Sequence, residues 1–247
     1  MQFAQAGFAS VDVHMSDLIS GRVSLADFKG VAACGGFSYG DVLGAGNGWA
    51  NSILLNTNAR KEFEHFFKDR SDTFALAVCN GCQLFAQLGP ELVPGTEHWP
   101  LFKQNLSGRF EGRACLVRVE DTAATRSSVF LSSLAGSTLP IAVAHGEGRA
   151  TYAAPASVAS GRDSVVLRYV DPATGAPTER YPFNPNGSPE GATGVSALGG
   201  RVLAMMPHSE RVTQKTSNSW YPREVRDEWK GVGPWFSMFV NARRWVN

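Results

Sequence analysis

The sequence predicts an α/β fold, in which helices flank a mostly parallel open sheet that carries an antiparallel annex. In the first third of the chain, short apolar runs bounded by turn residues alternate with helix-compatible stretches, as in parallel strands joined by helices. The middle third is richer in strand-like runs, which predicts the antiparallel part. No repeat or long linker divides the chain, so we expect one domain over residues 1–247.

Composition limits the classes of function. The chain has 247 residues, 43% of them hydrophobic, and a formal net charge of +1. Near-neutral charge gives no reason to expect nucleic acid as a partner. No apolar run approaches the roughly 20 residues that span a bilayer, and Met1 does not open a signal peptide. Four cysteines in a chain of this length favour reduced thiols, so we expect a cytoplasmic protein without a membrane partner.

The first residues are unusual for an α/β domain. Residues 3–8 resemble the end of a helix with Gly7 as its C-cap, and residues 10–14 alternate like a short strand. A doubly wound domain normally opens on a strand, and none precedes this helix. We therefore expect the first strand to be missing and the domain to be truncated at its N-terminus.

The remaining elements follow from periodicity and turn residues. Gly35 and Gly36 end the first buried strand, and Gly89-Pro90 is a helix stop. The predicted strands are 31–34, 74–78, 115–119, 139–144, 165–170 and 201–206. The predicted helices are 49–55, 58–70, 80–88 and 235–246, and the predicted loops include 35–48, 94–113 and 181–194.

Cys79 is the first candidate for chemistry. It follows the apolar run 74–78 and precedes Asn80-Gly81, which places it on a sharp strand-to-helix turn. Such a turn exposes a nucleophile and directs the next backbone N–H groups to the same point. The hypothesis is that Cys79 is a catalytic thiolate.

The base and the oxyanion donors are predicted from other strand ends. His208 follows the last strand, and in an extended segment Glu210 would point the same way and orient the imidazole. Because the carboxyl ends of parallel strands meet at one edge of a sheet, these groups can meet Cys79. The N–H of Asn80 is one predicted oxyanion donor, and the turn at Gly36-Phe37 is a second.

Each of these residues has a simpler interpretation. A cysteine after a strand is most often a buried structural thiol, and His145 and His208 are each compatible with a structural histidine. Cys79 and Cys82 also form a C-x-x-C motif, which is compatible with a thiol oxidoreductase. A single such pair argues only weakly for zinc, which usually takes four ligands in a structural site.

Six motifs in chain order identify a resemblance. They are Gly35-Gly36-Phe37-Ser38-Tyr39-Gly40-Asp41, Cys79-Asn80-Gly81-Cys82-Gln83, His145-Gly146-Glu147-Gly148-Arg149, Asn184-Pro185-Asn186-Gly187-Ser188-Pro189, Met206-Pro207-His208-Ser209-Glu210-Arg211 and Asn218-Ser219-Trp220-Tyr221-Pro222. With these motifs the chain resembles the class I, triad-type glutamine amidotransferase (glutaminase) domain of the large single-chain bacterial phosphoribosylformylglycinamidine synthases. The resemblance extends over nearly the whole length.

The resemblance implies a fold, an activity and a set of partners. The implied fold is that of class I glutamine amidotransferases, which is flavodoxin-like. The implied reaction is hydrolysis of L-glutamine by a triad of Cys79, His208 and Glu210. The ammonia would be used by a synthetase domain, in the same polypeptide or a separate chain, to convert formylglycinamide ribonucleotide to its amidine in purine biosynthesis. No cofactor or metal is expected in this chain, and ATP and Mg²⁺ would belong to the synthetase part.

The resemblance also implies a glutamine pocket. Its residues would be Gly36, Phe37, Asn80, Gln83, His145, Gly146 and Glu147, with Cys82 as a neighbour on the helix rather than a second catalytic thiol. The chain departs from the family pattern at Ser209, where proline is usual, and at Asn47 and Asn51, where Glu and Lys are expected. The alternatives are an amidotransferase-like fragment that is inactive without its synthetase partner, and the thiol oxidoreductase.

Overall fold

The computed structural model describes residues 1–36, 44, 46–218, 221, 223–224, 229 and 231–247, apart from the side chains of 155 and 156. Strands β1 to β9 are Gly30–Ala33, Phe74–Val78, Leu101–Lys103, Glu111–Val119, Thr138–His145, Arg149–Thr151, Val165–Tyr169, Ala192–Ala197 and Val202–Met205. Helices α1 to α8 are Gln2–Gln5, Met15–Ile19, Asn47–Leu54, Thr57–Glu64, Asn80–Leu92, Ala123–Arg126, Pro155–Gly161 and Phe236–Trp245. A π-helical turn, His65–Asp69, continues α4, and 3-10 turns lie at Leu25–Asp27, Ser132–Leu134, Arg162–Ser164, Pro189–Gly191, Leu198–Gly200, Ser209–Arg211 and Lys215–Ser217.

Seven strands form one sheet in the order β1-β2-β9-β8-β7-β4-β5, and β3 pairs with β6 in a separate ribbon. The β1–β2 and β2–β9 pairs are parallel, whereas the pairs from β9 to β5 are antiparallel. The predicted α/β class is confirmed. The antiparallel part is larger than expected and continues the same sheet rather than forming a separate annex.

The parallel part of the sheet explains the apolar run that precedes Cys79. Strand β2 lies between β1 and β9, and all five of its residues are buried. Helix α5 packs over β1, β2 and β9, and its Phe85 meets Phe67 edge-to-face with ring centroids 5.7 Å apart. A strand covered on both faces reads as a continuous hydrophobic run, not as an alternating one.

The two ends of the described chain meet at the opposite side of the sheet. The Phe3 and Phe239 rings, from α1 and α8, lie 5.0 Å apart, and Phe3 also stacks on Phe74 of β2. Aromatic pairs at these separations add to the stabilisation from buried area. None of the described helices is long and apolar enough to cross a lipid bilayer.

One predicted strand and one predicted helix end are wrong. Residues 10–14 form no strand, and His14 instead caps α2 by accepting a hydrogen bond from Ser16 N. Helix α5 continues past Pro90 and ends at Leu92. A proline in the last turn removes only one helical hydrogen bond, and the continued helix buries both Leu88 and Leu92 completely.

Three strands were missed. Strand β3 lies within the region predicted as loop 94–113, and β8 overlaps the region predicted as loop 181–194. Strand β6 lies between the predicted strands 139–144 and 165–170. All six residues of β8 are buried although its sequence is small and polar. A Cβ atom at Gly194 would lie 2.7 Å from Leu167 Cδ1, so β7 and β8 approach too closely for a large side chain there. Hydrophobic periodicity does not detect such a strand.

Candidate active site

The turn between β2 and α5 holds Cys79 in a strained backbone conformation. Its φ is 55° and its ψ is −111°, a region that residues other than glycine rarely adopt. The Cys79 N–H donates to Met205 O on β9 (2.9 Å), and its carbonyl accepts from Gln83 N (3.1 Å). The sheet and the helix therefore fix the backbone, and the thiol points into a cavity.

His208 lies at the end of β9, beside Cys79. Its N–H donates to Ala142 O on β5 (2.7 Å), and its Nδ1 lies 2.6 Å from Glu210 Oε1. The predicted reason for this pairing is wrong, because Glu210 lies in the 3-10 turn Ser209–Arg211 and not in an extended segment. Ser209 is the first residue of that turn, a position that also accepts proline. The departure at Ser209 leaves the histidine–carboxylate contact in place.

The absence of a side chain at Gly35 allows the side chains of His208 and Cys79 to lie close together. A Cβ atom at Gly35 would lie 2.9 Å from His208 Cε1 and 3.0 Å from Cys79 Cβ. Nε2 of His208 is buried and forms no well-aligned hydrogen bond with the described residues, although the Cys79 thiol is close enough to interact with it. Catalytic hydrogen bonds are often long in the absence of substrate.

The environment favours a charged imidazole at His208. Burial lowers its pKa, but hydrogen bonding and charge interactions with Cys79 and Glu210 outweigh burial and raise the pKa to about 9. The imidazolium can therefore persist at neutral pH next to the thiol.

We expect this histidine to make folding stability depend on pH. The folded-state pKa of about 9 lies above the ordinary value of 6.5. The contribution of His208 is then fully present below pH 6.5 and is lost as the pH rises through 9. Urea denaturation should show that the stability difference between the wild type and His208→Gln shrinks by about 3 kcal/mol at most between pH 6 and pH 10. A difference that stays constant or grows over this range would contradict the assignment.

The thiol and the imidazole open into a cavity of about 460 Å³. Its lining includes six of the seven predicted pocket residues, and Phe37 lies outside the described residues. The six are Gly36, Asn80, Gln83, His145, Gly146 and Glu147, and the lining is completed by Phe110, Ala144 and Arg211 together with Cys79 and His208.

Hydrogen bonds connect the nucleophile helix to the opposite wall of this cavity. Asn80 Nδ2 donates to Gln83 Oε1 (3.0 Å), and Gln83 Nε2 donates to Glu147 O (2.6 Å). Helix α5 begins at Asn80, directly after Cys79, and the helix dipole adds partial positive charge at this end. The region beside Cys79 therefore suits a developing negative oxygen.

Cys82 does not share the environment of Cys79. It is completely buried on α5, and burial raises the pKa of its thiol well above the ordinary value, with a further contribution from Cys79. A redox pair requires a thiolate that forms readily. Among the residues that the structure describes, no group of three or more His, Cys, Asp or Glu side chains is arranged to hold a metal ion.

Comparison with known proteins decides the family. A family model described as the CobB/CobQ-like glutamine amidotransferase domain matches residues 1–246. The chain belongs to this family.

Two similar proteins carry the name phosphoribosylformylglycinamidine synthase. The Saccharomyces cerevisiae protein is 53% identical over 249 residues, and the Schizosaccharomyces pombe protein is 52% identical over 245 residues. Each match covers 99% of this chain but 18% of the relative, so the amidotransferase domain spans about a fifth of their length. The predicted resemblance to the glutaminase domain of these synthases is confirmed.

A solved structure supports the fold of the amidotransferase domain. A chain in the structure of PurLQS from Thermotoga maritima superimposes with a TM-score of 0.60 and 24% sequence identity. The match covers 91% of this chain and 83% of the other. At this identity the likeness establishes the fold alone.

Sequence reasoning missed three of the described residues that line the cavity of this amidotransferase domain, Phe110, Ala144 and Arg211. Arg211 is part of the motif that contains His208 and Glu210, so its place in the sequence could have indicated that it lines the cavity. Phe110 comes just before β4, where turn residues gave no indication that it would line the cavity.

Proposed function

We propose that this amidotransferase domain hydrolyses L-glutamine to glutamate and ammonia, with Cys79 as nucleophile, His208 as acid and base, and Glu210 as the group that orients His208. The observation that carries the proposal is the 2.6 Å contact between His208 Nδ1 and Glu210 Oε1, beside a cysteine on a strained strand-to-helix turn. A nucleophile, a base and an orienting carboxylate in this order are the parts of a hydrolytic triad.

The first half-reaction is acyl transfer to sulfur. The Cys79 thiolate attacks the side-chain carboxamide carbon of glutamine, and the carbonyl oxygen becomes an oxyanion. The Asn80 N–H, the first after the nucleophile, would donate a hydrogen bond to this oxygen. The C–N bond then breaks as the His208 imidazolium gives its proton to the nitrogen. Ammonia leaves, and a γ-glutamyl thioester remains on Cys79.

The second half-reaction releases glutamate and regenerates the free Cys79 side chain. Water attacks the thioester carbon as neutral His208 takes its proton. The C–S bond breaks, glutamate is released, and the thiolate and imidazolium form again. General acid–base catalysis of this kind contributes roughly 10²- to 10⁴-fold, and one oxyanion donor about 10²- to 10³-fold.

The cavity suits an amino acid as substrate. Among the described residues, its lining carries the acidic side chain of Glu147 and, besides the two histidines, the basic side chain of Arg211. Free glutamine presents an ammonium and a carboxylate group, so both charges have a complementary group in the same cavity. The oxidoreductase alternative is disfavoured because Cys82 is buried and its thiol pKa is raised.

Within the larger enzyme, the ammonia would serve a synthetase part, in the same polypeptide or as a separate chain. The names of the two relatives support this role, in which formylglycinamide ribonucleotide is converted to formylglycinamidine ribonucleotide with ATP during de novo purine biosynthesis. ATP and Mg²⁺ would bind to the synthetase part, and the glutaminase chemistry needs neither.

Covalent labelling of the purified chain tests this function. A glutamine analogue with a reactive chloroketone should add one adduct to Cys79, and intact-mass and peptide mass spectrometry should locate it. Excess glutamine should protect Cys79, because substrate and reagent compete for one cavity. The reaction should be much faster at Cys79 than at an ordinary thiol, because the glutamine-like part of the reagent would bind in the cavity beside Cys79.

Cys34 provides the matched control because it is the exposed cysteine. Cys34→Ser should be labelled as the wild type is, and Cys79→Ser should take up no glutamine-protected adduct. Labelling at Cys34 alone, or labelling of Cys79 that glutamine does not slow, would refute a working glutamine site.

A further inference from the structure

The triad chemistry does not use the motif Asn184-Pro185-Asn186-Gly187-Ser188-Pro189, yet its asparagines are buried. Asn184 and Asn186 are 1% and 0% exposed. Asn184 Nδ2 donates to Thr178 O and Ser188 O, both at 2.9 Å, so this residue stabilises the loop that contains it. Asn186 points away from that loop, towards the cavity wall.

This part of the cavity wall is formed by residues 145–148, here called the 145–148 loop, which connects β5 to β6. Asn105 holds it from one side. Its N–H donates to Gly146 O (2.9 Å), its Nδ2 donates to His145 O (2.8 Å), and its Oδ1 accepts from Gly148 N (3.0 Å). From the nucleophile helix, Gln83 donates to Glu147 O (2.6 Å).

Asn186 supplies the contact that reaches a side chain of this loop. Its Nδ2 donates to Gly148 O (2.8 Å) and lies 3.1 Å from His145 Nε2. Its Oδ1 accepts from Ser188 N (3.1 Å) and Ser188 Oγ (2.7 Å). These two donors fix the orientation of the Asn186 amide, so the group that faces His145 is the NH₂.

An NH₂ group facing Nε2 determines the tautomer of His145. Nε2 must accept, so the proton of the neutral ring is on Nδ1. Nδ1 is buried and forms no well-aligned hydrogen bond with the described residues, although the Met206 backbone is close enough to interact with it. Burial, with a smaller contribution from the charge of His208, lowers the pKa of His145 to about 3. Glu111 lies opposite His145 in the β4–β5 register and pairs with Arg113, so its charge is already compensated. His145 is therefore a neutral ring beside the charged imidazole of the triad.

We propose that Asn186 is a positioning residue, which fixes the tautomer of His145 and holds the 145–148 loop in the shape that glutamine requires; this rests on the proposed glutaminase function. A neutral His145 adds no positive charge that would repel the His208 imidazolium. Gly148 makes the arrangement possible, because a Cβ atom there would overlap the His145 ring.

The test is Asn186→Asp, which keeps the size of the side chain and replaces the donor facing Nε2 by a carboxylate oxygen. A carboxylate favours the imidazolium, so NMR titration of the ring should show His145 protonated at pH 6, where the wild-type ring is neutral. Displacement of the loop should lower kcat/KM for glutamine hydrolysis about 10²-fold, with most of the change in KM.

Asn184→Asp is the matched control. It loses two buried hydrogen bonds in the same motif but does not touch His145, so it should destabilise the chain while His145 stays neutral at pH 6. If both variants change the His145 titration and the kinetics equally, Asn186 has only a structural role and the proposal fails.

The protonation of the His145 ring can also be measured in the wild type, which tests the proposal even if Asn186→Asp does not fold. Nitrogen-15 chemical shifts of the His145 ring should show an unprotonated Nε2 and a protonated Nδ1 at pH 7. A proton on Nε2 would overturn the assigned role of Asn186. A wild-type chain without glutaminase activity would overturn the proposed function, whereas an unprotonated Nε2 in the same sample would still support Asn186 as the residue that sets the tautomer.

Discussion

Replacing Cys79 with alanine should lower glutamine-dependent synthesis by about 10⁴-fold or more while ammonia-dependent synthesis by the complete enzyme continues at the wild-type rate. The variant removes the sulfur on which the proposed thioester would form, and no other described thiol lines the cavity. In the proposed reaction, free ammonia would bypass this step and enter the synthetase reaction directly. The measurement is the rate of amidine formation with glutamine and, separately, with an ammonium salt.

Cys82→Ala is the control for this experiment. It removes a thiol three residues away on the same helix, and Cys82 is fully buried and does not line the cavity. Activity with glutamine should stay within a few fold of the wild type, apart from a modest loss of stability. If Cys79→Ala lowers the rate of amidine formation equally with glutamine and with the ammonium salt, the substitution damages the fold. The assigned role of Cys79 would then be wrong.

The sequence predicted the meeting of Cys79 and His208 because of a topological rule. Both residues follow parallel strands, β2 and β9, and these strands are neighbours in the sheet. Residues after parallel strands share one edge of a sheet, so strand ends alone were sufficient. The geometry at Glu210 was not predictable in the same way, because the 3-10 turn that carries it has no distinct hydrophobic pattern.

Two errors in the predicted fold, the missed strand β8 and the wrong end of helix α5, have a common physical cause. Strand β8 depends on the close approach of Gly194 to Leu167 of β7, and the continuation of α5 beyond Pro90 buries Leu92 in the core. Tertiary packing overrides local propensity at such positions. The contacts of Asn105 and Asn186 with the 145–148 loop were also not predictable, since they join residues 38 to 43 positions apart.

Gly81→Ala should destabilise the chain strongly, although intrinsic helix propensity favours alanine over glycine by about 1 kcal/mol. Gly81 is in the first turn of α5, directly after the nucleophile turn. A Cβ atom there would overlap the carbonyl oxygen of Ala33 and would lie 2.6 Å from its carbonyl carbon. These atoms belong to the backbone of β1, so no change of rotamer relieves the overlap. The helix start has to move away from the sheet.

We expect this movement to cost roughly 3 kcal/mol, which corresponds to a fall in Tm of about 6–12 °C for a chain of this size. Urea denaturation and thermal unfolding measure both quantities. Displacement of the helix start also displaces Cys79 and the Asn80 N–H, so kcat/KM for glutamine should fall about 10²-fold for a shift near 1 Å. Gly112→Ala is the matched control, since its Cβ atom would make an ordinary contact 3.5 Å from Phe110 Cε1. If Gly81→Ala were as stable as Gly112→Ala, the position of helix α5 would not depend on its close approach to β1. The claim that this packing fixes the nucleophile turn would then be wrong.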